Sequence, residues 1–222
     1  MPWDAIFLTL KLAAVTTVIL IVLGLPLAWW LATTRSRVRP VIEAITTLPL
    51  VLPPTVLGFY LLILFSPDAP LGDFWLSLTG NTLTFSFTGL VIASCLYSLP
   101  FAVQPMQAAF SVLGRGAMEA ARTLGAGRWD AFRTIALPLA RRGVLTASVL
   151  SFAHTLGEFG VVLMVGGNIP GQTRVIAIEI FTAVETLDYK TAHILSAALL
   201  GFSFLVLLFV YVVNGRGVRT YG

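Results

Sequence analysis

The chain has 222 residues, 57% hydrophobic and only 11% charged, with a formal net charge of +4 and a mean hydropathy of +0.91. Soluble domains carry about 25% charged residues, so this composition excludes one and defines an integral membrane protein, with room for about five or six helices at roughly 20 apolar residues per crossing. The positive charge does not call for nucleic acid, because it is distributed as membrane topology requires. The single cysteine, Cys95, excludes an internal disulfide and lies in an apolar stretch as a packing residue.

The start, Met1-Pro2-Trp3-Asp4, lacks the basic region and cleavage site of a signal peptide, so the first span is expected to be retained. Five stretches are long and apolar enough to cross a bilayer: Leu8–Ala32, Val41–Phe65, Phe85–Phe110, Gly143–Val165 and Thr191–Val213. Loop 33–40 holds Arg35, Arg37 and Arg39. Loop 113–142 holds Arg115, Arg122, Arg128, Arg133, Arg141 and Arg142, and the tail holds Arg216 and Arg219. Loop 66–84 carries Asp68 and Asp73 with no basic residue. The excess of arginine on one side predicts five crossings with the N-terminus outside and the C-terminus in the cytoplasm. Segment 175–187 is too short to span and holds Glu179 and Glu185, which predicts an outer-surface or re-entrant amphipathic helix.

Prolines interrupt three spans: Pro26 in the first, Pro49, Pro53 and Pro54 in the second, Pro100 and Pro105 in the third. Each removes a backbone donor and frees a carbonyl, which lipid tolerates only where neighbouring helices or a water-filled path satisfy it. Two readings stand: kinks that help helices wrap, or a broken helix at Pro53-Pro54 and Thr55 beside a translocation path.

The long polar loop has internal order. Ala117, Ala120, Ala121 and Leu124 share a helical face, Glu119 and Arg122 flank it, and Gly125 and Gly127 supply a stop. A second helical run, Trp129 to Ile135, is expected to end at Pro138 before the next span begins. Small side chains let a helix seat deeply in a partner's groove. The same residues also suit a helix lying on lipid headgroups, where arginine and Trp129 are at home.

Glu119-Ala120-Ala121, then Gly125, then Ile135, Leu137 and Pro138, at these separations, resemble the EAA loop of ABC importer permeases. The resemblance implies a type I ABC importer permease fold, all α-helical, in which Glu119, Ala120, Ala121, Arg122, Leu124, Gly125, Ile135, Leu137 and Pro138 belong to the element that couples to an ATP-binding subunit. The chain contains no GxxxxGK[ST] phosphate loop, so ATP and magnesium are expected on that partner and no cofactor on this chain, which is a transport subunit and not an enzyme. Three further stretches resemble the molybdate permease branch: Leu48-Pro49-Leu50-Val51-Leu52-Pro53-Pro54-Thr55-Val56 with Gly58, Leu156-Gly157-Glu158-Phe159-Gly160, and Asn168-Ile169-Pro170-Gly171-Gln172-Thr173-Arg174. Sulfate permeases share parts of these, so oxyanion import is the firmer implication. His154 stands where arginine is expected before Leu156-Gly157-Glu158-Phe159. The implied machine is a homodimer with two ATP-binding subunits and an external oxyanion-binding protein.

Within the fourth span Ser148, Ser151, Thr155 and Glu158 fall on one helical face, bordered by His154. Ser94, Ser98 and Gln104 place polar groups broadly on one side of the third. Such hydroxyls suit weak, neutral solvation of a passing anion, or else bond back to their own helix and glue helices together. Glu158 lies about 22 Å up a core about 30 Å thick, and its expected role is a clasp with His154, its i−4 neighbour, near an outer gate. An ion-coupled secondary transporter would require carboxylates near the midplane, and Glu158 is off centre. An intramembrane serine protease would use Ser151 and His154, yet no GxSxG pattern surrounds that serine.

Overall fold

The computed structural model describes residues 2–113, 123, 125 and 127–215, and every element among them is helical. In chain order these are α1 (Pro2–Thr33), α2 (Arg39–Thr47) with a 3₁₀ turn at Leu48–Leu50, α3 (Pro54–Phe65), α4 (Pro70–Thr79), α5 (Phe87–Val112), α6 (Arg128–Ala131), a π-helical turn (Phe132–Ala136), α7 (Leu137–Leu156), α8 (Gly160–Gly166), α9 (Ile176–Glu185) and α10 (Tyr189–Gly215). Among the described residues, four stretches are long and apolar enough to cross a membrane: Trp3–Thr33, Phe87–Val112, Trp129–Leu156 and Tyr189–Val212. The pair Arg39–Leu50 and Pro54–Phe65, bent by 109°, makes a fifth when taken as one broken span.

α1, α5 and α7 pack on one another as the central bundle. At one end of it Leu8 and Leu12 of α1 meet Leu90 and Val91 of α5, Val162 of α8 and Ile178 of α9. At the other end Ala28 and Leu31 of α1 meet Met106 and Phe110 of α5 and Phe132, Ala136 and Ala140 beyond the arginine-rich loop. α1 and α5 therefore run parallel. A third cluster, with Leu61 and Phe65 of α3, Ala93 of α5 and Val161 and Val165 of α8, holds α3 to the bundle's flank. α10 leaves much of its apolar surface exposed, Phe204, Leu205 and Phe209 among it, as a lipid-facing helix requires.

The second span is broken, the second of the two readings its prolines left open: Pro49, Pro53 and Pro54 withhold donors and the chain turns between α2 and α3. Other expectations from the sequence are corrected. Pro138 does not end the run from Trp129. The helix passes through it into α7, and the Leu137 N–H reaches back five residues to Phe132 O. That π turn makes the chain wide enough to admit a proline ring without a break. The fourth span is cut instead at Gly157–Phe159. Helix α4, in the stretch read as a loop, has Pro70 in its first turn and Gly80 in the left-handed conformation at its end. Segment 175–187 does form a short helix, α9, packed on α1 and α10, with Ile176 and Ile178 buried. Asp188 caps α10: its Oδ1 accepts the Thr191 N–H at 3.1 Å. Hydrogen bonds from the Thr191 side chain and backbone hold the Asp188 carboxyl below its ordinary range.

Candidate functional site

Two helix breaks about a hundred residues apart in sequence meet in space. At the first, the 3₁₀ turn Leu48–Leu50 gives way to an extended Pro53, and Pro54 opens α3 at a position where a missing N–H costs nothing. At the second, α7 stops at Leu156, the Gly157 N–H donates to His154 O at 3.1 Å, and Phe159 leads into α8. Neither end tolerates bulk between them. A β-carbon on Gly160 would lie 3.0 Å from Pro54 Cβ, and one on Gly58 would lie 2.7 Å from Met164 Cβ and 3.2 Å from Val161 Cα. The stretches around Pro53-Pro54 and Gly157-Glu158 are thus one structural unit. Pro53 and Thr55 are exposed and Pro54 half-buried, so the first break borders open surface.

The third stretch seats beside them. Thr173 Oγ1 donates to Gly166 O at 2.7 Å and accepts the Ile169 N–H at 3.2 Å, tying the loop to the end of α8. Arg174 donates from Nε to Asn168 Oδ1 at 2.5 Å and from Nη1 to Glu179 Oε2 at 3.4 Å, fastening the loop to α9.

Inside the second break Glu158 is 3% exposed, and neither of its carboxyl oxygens makes a hydrogen bond of ordinary geometry among the described residues, although the Ser94 hydroxyl of α5 faces it. Its neighbours on α5 are Ser94, Cys95 and Tyr97. The expected clasp with His154 is not formed. The helix ends at Leu156, so the i, i+4 register that would join the two is lost. His154 turns to α5, where Nδ1 lies 2.9 Å from Ser98 Oγ, and its ring stacks on Phe101 at 4.0 Å and lies 4.9 Å from Tyr97.

A proton count assigns the histidine's tautomer. Thr155 Oγ1 donates to Ser151 O at 2.9 Å, so its contact with Ser98 at 3.1 Å must receive the Ser98 proton. Ser98 then accepts from His154 Nδ1–H, every donor in the chain is used once, and Nε2 carries the lone pair.

The polar stripe divides. Ser151, Thr155 and Glu158 are buried in the protomer. Ser148 bonds back to Val144 O at 2.9 Å, as a hydroxyl in a helix commonly does. Ser94 and Ser98 are fully buried, whereas Gln104 is exposed and does not share their side. At the arginine-rich end, Glu119, Ala120, Ala121, Arg122 and Leu124 lie outside the described residues. Gly125 has φ +85° and a β-carbon on it would meet no atom of the described residues within 4 Å, Ile135 and Leu137 are half-buried, and Pro138 is exposed. The sequence reading missed a cluster there. Glu43 Oε1 accepts from Arg39 Nε and Nη2, each at 3.0 Å, and from Gln107 Nε2 at 2.6 Å, joining α2 to α5. The i, i+4 spacing of Arg39 and Glu43 was a visible signal, but Gln107 was not. No group of three His, Cys, Asp or Glu side chains among the described residues could hold a metal.

Two helix breaks packed against each other in an all-helical, membrane-crossing bundle are the arrangement that membrane components of transporters use. Residues 6–217 match the family described as binding-protein-dependent transport system inner membrane component, and the chain belongs to it. It is 57% identical over 207 residues to the molybdenum transport system permease protein ModB of Azotobacter vinelandii, covering 93% of this chain and 92% of that one. It is 35% identical over 215 residues to the sulfate transport system permease protein CysT of Escherichia coli, covering 96% and 77%. Among solved structures it superposes on a chain of a bacterial alginate ABC transporter, in complex with an alginate pentasaccharide-bound periplasmic protein. There the TM-score is 0.76, with 20% identity over 98% of this chain and 79% of that one. The chain is a multi-pass inner-membrane permease.

Proposed function

We propose that this chain is the membrane-spanning subunit of an ATP-driven importer that takes up molybdate. The observation that carries the substrate is the 57% identity to a molybdenum permease across nearly the whole of both chains, against 35% to a sulfate permease. Five crossings, with the N-terminus outside and the C-terminus in the cytoplasm, fit the arginine distribution and the broken second span. Two copies would form the transport unit, with two ATP-binding subunits carrying ATP and magnesium on the arginine-rich side and an external binding protein delivering the oxyanion. The segment with Glu119, Ala120, Ala121 and Gly125 is the docking contact for the ATP-binding subunit.

Import by such a machine requires two conformations that ATP and the loaded binding protein stabilise differently. The paired breaks suit that demand. Half-helices α3 and α8 are joined tightly to each other but only through short irregular segments to α2 and α7, so they form a unit that can tilt at Pro53-Pro54 and Gly157–Phe159 together. Pro53, Pro54, Thr55, Ser148, Ser151, His154, Thr155 and Glu158 are the residues assigned to this path and its gate.

ATP-dependent uptake into reconstituted vesicles, with molybdate, tungstate and sulfate competing at equal concentration, tests the reading. Molybdate or tungstate should displace the label best. Sulfate winning would move the substrate while leaving the family intact, and uptake driven by an ion gradient without ATP would replace the importer with a secondary transporter.

A further inference from the structure

An aromatic cluster ties the chain just beyond the arginine-rich loop to two membrane helices at once. Phe132, only 8% exposed, opens the π turn. Its ring lies 5.4 Å from Trp29 of α1 and 6.1 Å from Phe110 of α5, and Trp29 and Phe110 meet edge to face at 5.1 Å. On the other side Phe132 meets the exposed Trp129 at 5.7 Å, nearly perpendicular, and Arg133 lies 5.6 Å from that indole. The series runs without a gap from an exposed residue of the loop to the ends of α1 and α5.

The backbone beneath the cluster is itself unusual. From Phe132 to Ala136 it is π-helical, a form with one extra residue in the turn that occurs mostly as single turns at functional sites. A π turn can pass its extra residue along the helix, rotating the turn on its N-terminal side against the turn on its C-terminal side. Ala136 at its end and Ala140 beyond it are buried in one cluster with Leu31 and Met106, so α7 is held fast, while on the loop side the buried Ala131 is joined by the rings of Phe132 and Trp129. Phe132 meets Trp29 and Phe110 at tilted angles of 58° and 43°, and tilted or edge-to-face rings can roll over one another with little loss of contact, which aliphatic side chains locked in interdigitated packing cannot do.

We infer that Trp29, Phe110 and Phe132 form the joint through which movement of the arginine-rich loop is passed to α1 and α5 together, with the π turn as its hinge. They are positioning residues, and the inference rests on the reading of that loop as the contact with the ATP-binding subunit. Without the joint the loop would pull on α7 alone.

The test uses the full transporter, reconstituted with its ATP-binding and external binding proteins, and reads molybdate imported per ATP hydrolysed. Trp29→Ala and Phe132→Ala should still co-purify with the ATP-binding subunit and hydrolyse ATP, while import per ATP falls about 2- to 30-fold, as for mutations along a coupling route. Trp29→Phe, which keeps a ring in the cluster, should restore the ratio. Alanine variants that assemble and couple like the wild type overturn the joint. Should they fail to accumulate, Phe110→Leu and Phe132→Leu, which keep the site filled, take their place: a lowered ratio supports the joint and a normal one overturns it. A wild-type chain that never binds the ATP-binding subunit would instead overturn the underlying reading, a result separable from all of these.

Discussion

The two helix breaks differ in how they are made and in what they leave behind. The break before α3 is built from prolines, bends the chain by 109°, and lies open, with Val51 79% exposed. The break before α8 is built between Gly157 and Gly160 and encloses Glu158, a carboxyl with neither oxygen in a hydrogen bond of ordinary geometry among the described residues. A proline break removes donors, and the carbonyls it frees need partners that an open surface can supply. A break in a buried helix leaves polar groups that burial makes expensive. A protein that keeps such a carboxyl gives up stability at that point, and stability is given up where function demands it.

That contrast can be broken in four places, from the largest effect downward. Gly58→Leu forces a side chain into the 2.7 Å approach to Met164 Cβ. It should cost about 3 kcal/mol or more by overpacking, seen as a sharply lowered unfolding midpoint of the purified protein in nanodiscs. A normal midpoint would mean that α3 and α8 are not locked together. Glu158→Met replaces this buried carboxyl by an apolar group of similar length. It should raise stability by about 1–3 kcal/mol while import drops, and a stability loss would show that the carboxyl is structurally satisfied after all.

Ser98→Ala removes the middle of the relay from His154 to Ser151. It should cost about 1 kcal/mol and shift the imidazole resonances of His154 in an NMR spectrum of the labelled protein. Unmoved resonances would contradict the assigned tautomer. Pro53→Ala, at the open break, should change the midpoint by less than about 1 kcal/mol. An effect as large as that of Gly58→Leu would erase the distinction between the breaks.

The first break was legible because three prolines within six residues interrupt any helix by local chemistry. The second was not. Leu156 to Val165 reads as part of one apolar span, and glycines within a span are compatible with a helix as readily as with a stop. Pro138 misled in the opposite direction, since a π turn five residues long accommodates it and nothing in Phe132–Ala136 announces that turn. His154 and Glu158 have the right spacing to pair, but spacing joins residues only on an uninterrupted helix, and this helix ends between them.

Hydropathy and charge, which depend only on residue type, determined that the chain lives in a membrane, roughly where it crosses, and which loop is basic. The spacing of Glu119, Gly125 and Pro138, with the stretches at 48–58, 156–160 and 168–174, determined the family. Tertiary structure decided that those last three stretches form one site, that His154 faces Ser98 and not Glu158, and that Trp29, Phe110 and Phe132 converge. Each of these rests on contacts between residues far apart in the chain, and a contact between distant residues is set by how helices pack, which no local pattern encodes.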